Sequence, residues 1–159
     1  MTYLGDAGQI SARFRQSVDV EQITMKSDVI SRFVAPGSVT NGQFGLFEWS
    51  MPSNAGGPSP HFHKTFSESF YIISGIVGLY DGRTWVEAGQ GDFLYVPPGG
   101  IHAFRNPTDQ PADMLILFAP GAPREQYFRE TAAIADSGRK LSRDEWTELF
   151  ARHDQYRAE

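Results

Sequence analysis

Three of the chain's four histidines stand in a constrained arrangement with one glutamate. His61-Phe62-His63 opens a stretch rich in β-forming residues, so strand alternation puts both imidazoles on one face and Phe62 on the other. Glu68 follows five residues after His63, at the start of the apolar run Ser69–Ile73, and His102 lies just past the corner Pro97-Pro98-Gly99-Gly100. Three imidazoles and a carboxylate complete a ligand set for a borderline divalent cation, and two His at i and i+2 let one strand offer two nitrogens to one ion. Cys is absent, which excludes thiolate metal sites, cysteine nucleophiles and redox dithiols. With no thiolate to favour zinc, iron(II), manganese, nickel, cobalt and zinc all suit the set. The remaining histidine, His153, reads as an ordinary residue on an exposed helix.

The elements that must position these groups are short and β-rich. Val29–Ala35 ends at Pro36-Gly37, Asn41-Gly42 is a hairpin turn, and Phe44–Met51 is the next strand. Ser53–Pro60 is a loop by composition, His61–Tyr80 a long strand-like stretch bent at Gly75, and Asp81-Gly82 a second hairpin turn. Thr84–Glu87, Asp92–Val96, His102–Arg105 and Asp113–Ala119 complete about eight strands, a pattern for a sandwich or barrel. Pro123–Ile134 predicts a helix with Pro at its start, and the Ser142-x-x-Glu145 capping box predicts another through about Tyr156. The expected organisation is an N-terminal arm (1–26, with at most a weak helical turn over Ile10–Val18), an all-β domain (27–120) and C-terminal helices packed on it (121–159).

The chain has 159 residues and a formal net charge of −5. That length fits one domain, and the balance gives no basic face for phosphate backbones, so nucleic acid is an unexpected partner. No apolar run approaches the roughly 20 residues of a membrane span, and the N-terminus lacks the pattern of a secretory signal, so the expected location is the cytoplasm.

With these residues in hand, the chain resembles the cupin superfamily. The first cupin motif is matched by Gly57, His61, His63, Glu68 and Gly75, with Gly57 nearer to the first histidine than is usual in the family. The second is matched at every position by Gly91, Pro97, Gly99, His102 and Asn106. The resemblance implies a single-domain double-stranded β-helix, or jelly-roll barrel, with a C-terminal helical tail. It also implies that His61, His63, Glu68 and His102 hold a divalent metal at the barrel mouth, and that the chain forms a homodimer. The segment Phe118–Phe128 further resembles single-domain bacterial cupins grouped with quercetin dioxygenases, in which a metal-bound flavonol is cleaved by O2. In that group the ligand glutamate is proposed to take the substrate's hydroxyl proton, which makes Glu68 the expected catalytic base.

Counting by twos from Glu68 and His102 turns Phe70, Ile72 and Phe104 inward, and Trp49, Met51 and Phe118 are further inward candidates. With Tyr127 and Phe128 on a helix folded over the mouth, these residues describe a pocket for an aromatic or apolar small molecule. Arg32 and Arg105, the strand-borne arginines, read as surface charges, which argues against sugar-phosphate substrates. The leading expectation is a metal-dependent dioxygenase acting on an aromatic or enolisable molecule such as a flavonol. The alternatives are a non-redox metal-dependent isomerase, cyclase, decarboxylase or lyase, and a ligand-binding cupin without turnover.

Overall fold

Strict alternation in the strand Gly45–Met51 sets the plan of the molecule: Phe47, Trp49 and Met51 are buried while Leu46, Glu48 and Ser50 face outward. The computed structural model describes residues 2–159; Met1, the first residue of the expected arm, lies outside them. The strands are β1 (Gln22–Thr24), β2 (Ile30–Ala35), β3 (Gly45–Met51), β4 (His61–Phe62), β5 (Ser67–Ser74), β6 (Val77–Tyr80), β7 (Trp85–Ala88), β8 (Phe93–Val96), β9 (Ala103–Arg105) and β10 (Ala112–Ala119). After them come α1 (Arg124–Ser137), α2 (Arg143–Arg152) and the short β11 (Tyr156–Arg157).

A six-stranded antiparallel sheet in the order β1-β2-β3-β10-β5-β8 faces a three-stranded sheet β7-β6-β9, and β4 pairs with β11. The architecture is all-β with two C-terminal helices. Its core is strongly aromatic. The Phe47 ring lies 5.4 Å from Phe33, 5.6 Å from Phe118 and 5.3 Å from Phe128, each in an edge-to-face arrangement. Phe128 comes from α1 and also meets Trp49, 5.1 Å away, so α1 is anchored in the barrel core.

Several elements differ from expectation for identifiable reasons. Residues 22–24, expected within the arm, pair with β2 and extend the sheet. The region of Ile10–Val18 forms no helix apart from a single short turn at Ser17–Asp19, and Ile10, Phe14 and Val18 are exposed. The stretch His61–Tyr80 is three strands, because the chain leaves β4 after Phe62 and turns again at Gly75 (φ 72°). Helix α1 continues beyond Ile134 to Ser137, ending at left-handed Gly138 (φ 69°). Helix α2 starts at the Ser142–Glu145 capping box as predicted but stops at Arg152. Asp154 adopts φ 52°, reversing the chain so that Tyr156 pairs with Phe62 in a strand. Among the described residues no helix is long and apolar enough to cross a membrane.

Candidate metal centre

The Pro97–Gly100 corner and the β4 strand bring the histidines together through the backbone. His61 N–H donates to His102 O (3.0 Å) and His102 N–H donates to His61 O (2.9 Å), an isolated antiparallel bridge that sets the two imidazoles 4.3 Å apart, centroid to centroid. Gly99, at φ 84°, donates its N–H to His63 O (2.6 Å) and so ties the corner to the next ligand. Glu68 enters from β5, whose register against β8 pairs it with Val96, the residue before the corner.

His61, His63, Glu68 and His102 are all buried, and one donor atom from each lies within 4.8 Å of the others. Every histidine Nδ1 faces a backbone carbonyl: Ser59 O at 2.9 Å from His61, Asp154 O at 2.6 Å from His63, and Gly100 O at 3.0 Å from His102. A carbonyl only accepts, so each Nδ1 carries the proton and donates it, and each neutral ring keeps its lone pair at Nε2. Yet Nε2 of His63 and of His102 approach Glu68 Oε2 at 3.0 and 2.8 Å. Lone pairs facing a carboxylate need a cation between them, either a proton or a metal ion. Backbone-oriented imidazoles converging on a carboxylate are the donor chemistry of a divalent metal site, and the residues fit one.

The electrostatics agree. Burial pushes the His61 imidazolium down to about 3, assisted by neighbouring His102. Burial also works against a charged His102, but the Glu68 carboxylate and its hydrogen bond outweigh it and hold His102 above its ordinary value. For Glu68, burial raises the carboxyl, and the two imidazoles overcome that and hold it well below the usual carboxylate range. The cluster therefore favours a charged carboxylate and a neutral His61, the states in which these groups ligate a metal ion.

His61 and Glu68 form part of the wall of a cavity of about 700 Å³ between the barrel and the two helices. Of the residues expected in a pocket, Trp49, Phe104, Phe118, Tyr127 and Phe128 line it. Met51, Phe70 and Ile72 do not; they are packed in the core behind the wall. Trp146 and Phe150 of α2 complete the aromatic wall. Arg32 pairs with Glu48 at 3.3 Å, and Arg105 lies over the Trp85 ring at 4.1 Å, away from the cavity.

Three residues escaped the sequence reading. Arg124, 4% exposed, also lines the cavity and brings to it a helix-borne cation that a reading of the strand-borne arginines does not reach. Its one sequence signal is a basic side chain in a helix's first turn, where the dipole disfavours it. Gln155 is buried beside it and accepts from Arg124 Nη2 (3.0 Å). Asp154 accepts at its carbonyl from His63 and at its carboxylate from Lys64 N–H (3.0 Å), Thr65 N–H (2.8 Å) and the Thr65 hydroxyl (2.6 Å). His153 is half-buried rather than exposed, with Nε2 2.6 Å from Glu130.

Residues 47–118 match the Cupin domain family. The two-sheet barrel, the cluster and this match agree. The chain's barrel segment, residues 47–118, is a cupin domain. The chain is 28% identical over 110 residues to the quercetin 2,3-dioxygenase of Bacillus subtilis, an alignment covering 66% of the present chain and 30% of that protein. Its fold is similar to that of the polyketide cyclase RemF from Streptomyces resistomycificus (TM-score 0.57, 23% identity, 69% of this chain and 80% of that one). It is also similar to an RmlC-like cupin from Shewanella frigidimarina (TM-score 0.61, 18% identity, 74% and 96% of the two chains).

Proposed function

We propose that this cupin is a metal-dependent enzyme acting on an aromatic or enolisable small molecule, and that the reaction is oxidative cleavage by O2. The observation that carries the reading is the meeting of His61 and Glu68 with an aromatic cavity of about 700 Å³, the size of a site for a drug-sized organic molecule. The similarity to the Bacillus dioxygenase supports the choice of O2 chemistry. A divalent ion held by His61, His63, Glu68 and His102 supplies Lewis acidity and open coordination positions. The chain's own groups do the rest. Trp49, Phe104 and Tyr127 bind and orient a planar ring and exclude water. Glu68, kept ionised by His63 and His102, accepts the proton of an enolic or phenolic hydroxyl at a carboxylate oxygen.

The test is O2 uptake by the metal-loaded protein with a panel of flavonols and 1,3-dicarbonyl compounds, alongside Glu68→Gln. Uptake matched to substrate loss, and abolished in the variant, is expected. Substrate turnover under strict anaerobiosis replaces this reading with isomerase, cyclase or lyase chemistry at the same cluster. No turnover in either atmosphere with metal at stoichiometry removes the enzymatic reading.

A further inference from the structure

We propose that the cavity selects an anionic aromatic ligand, a carboxylate or an enolate, and that Arg124 is the residue that recognises its charge. This rests on the cavity being the substrate site and adds the ligand's charge to that reading. Arg124 opens α1 and is buried in the cavity wall. Its Nη1 donates to His153 O (2.9 Å) and its Nη2 to Gln155 Oε1 (3.0 Å), both neutral acceptors. Its Nε–H has no hydrogen-bond partner. Among the described residues no carboxylate forms an ion pair with Arg124.

Four aromatic rings surround the guanidinium: Tyr127 at 4.2 Å and Phe66, Phe118 and Phe128 at 5.5 Å. Their faces stabilise a cation, and the carboxylates of Glu68 and Asp154 act on it only through space, without an ion pair. Burying an unpaired cation is costly, and this one also sits at the positive end of the α1 dipole, which adds to the cost. Glu68, across the site, is already committed to His63 and His102. The cavity wall therefore holds a guanidinium with no ion-pair partner. A ligand with an anionic oxygen supplies the missing counter-charge, whereas a neutral ligand of the same shape leaves the guanidinium without an ion-pair partner.

The test measures 2-naphthoate against its neutral isostere 2-naphthamide by titration calorimetry, on metal-loaded and on chelator-treated protein. Naphthoate is expected to bind about tenfold tighter or more in both forms. Arg124→Met is expected to abolish that preference. Because Arg124 also holds the C-terminal segment, Gln155→Glu is the companion variant: it keeps the side-chain volume while setting a carboxylate against the guanidinium. It too is expected to lose the preference, with circular dichroism unchanged. Equal binding of the two probes by the wild type, or a preference surviving in both variants, overturns the role of Arg124 while leaving an aromatic cavity standing. Binding of neither probe overturns the cavity as an aromatic site, and the charge inference falls with it.

Discussion

Replacing Asp154 separates the support of the metal centre from the centre itself. The Asp154 carboxylate gathers two backbone N–H groups and a hydroxyl from Lys64 and Thr65, and its own carbonyl receives the His63 Nδ1 proton. Three charge-assisted bonds at a half-exposed site are worth about 1–2 kcal/mol together once solvent competition is allowed for. Asp154→Asn is therefore expected to lower the melting temperature by about 2–8 °C. Asparagine tolerates the left-handed backbone at φ 52°, so this variant isolates the lost charge. Asp154→Ala adds roughly 1–2 kcal/mol of backbone strain. Partial burial raises the carboxyl, but the Thr65 hydroxyl and the two amides outweigh it and hold Asp154 below its ordinary value of 3.8. The unfolded chain thus binds the proton more readily, so the contribution is present above about pH 4 and is lost as pH falls through the folded value. Loosening the carbonyl's hold on His63 is expected to weaken metal binding about tenfold, as with other residues that orient a metal ligand. Urea unfolding between pH 2.5 and 7 and competition with a fluorescent chelator measure both effects. Wild-type melting, acid sensitivity and metal affinity in Asp154→Asn would show that the segment is not a support of the centre.

Three further substitutions probe the scaffold. Phe47→Ala removes a fully buried ring packed on Phe33, Phe118 and Phe128 and is expected to destabilise by about 3–5 kcal/mol in urea unfolding. Phe93→Ala, at a 63% exposed position, should stay within about 0.5 kcal/mol; similar losses at both sites would contradict the assigned core. Gly57→Ala places a Cβ against the Phe104 carbonyl oxygen, so the loop must move off β9 at a cost of about 1–3 kcal/mol. Unchanged unfolding and unchanged ligand binding in that variant would show that the close approach does not matter.

The fold and the cluster were legible because their signals are local. Turn residues such as Asn41-Gly42, Asp81-Gly82 and Pro97–Gly100 punctuate the strands, and alternation through His61-Phe62-His63 fixes which side chains share a face. The cavity was less legible. Alternation marks Met51, Phe70 and Ile72 as inward, but it cannot separate a core position from a cavity wall, and these three are core. Arg124, Asp154 and Gln155 act through contacts 29 to 91 residues apart in sequence, which no periodicity encodes. The end of α2 was misplaced because its polar continuation through Tyr156 carries no breaker. Asp154 takes the left-handed conformation without a glycine, and the reward for the turn is the distant pairing with β4.

Four side chains are assigned here to one cation, and metal content tests that assignment most directly. Protein expressed without an affinity tag, then analysed by mass spectrometry for bound elements, is expected to carry about one divalent transition metal ion per chain. His102→Ala, folded as judged by circular dichroism, is expected to carry almost none. Wild-type protein that neither retains nor takes up a stoichiometric ion, or a His102→Ala variant that holds it equally well, would contradict the assignment of the centre.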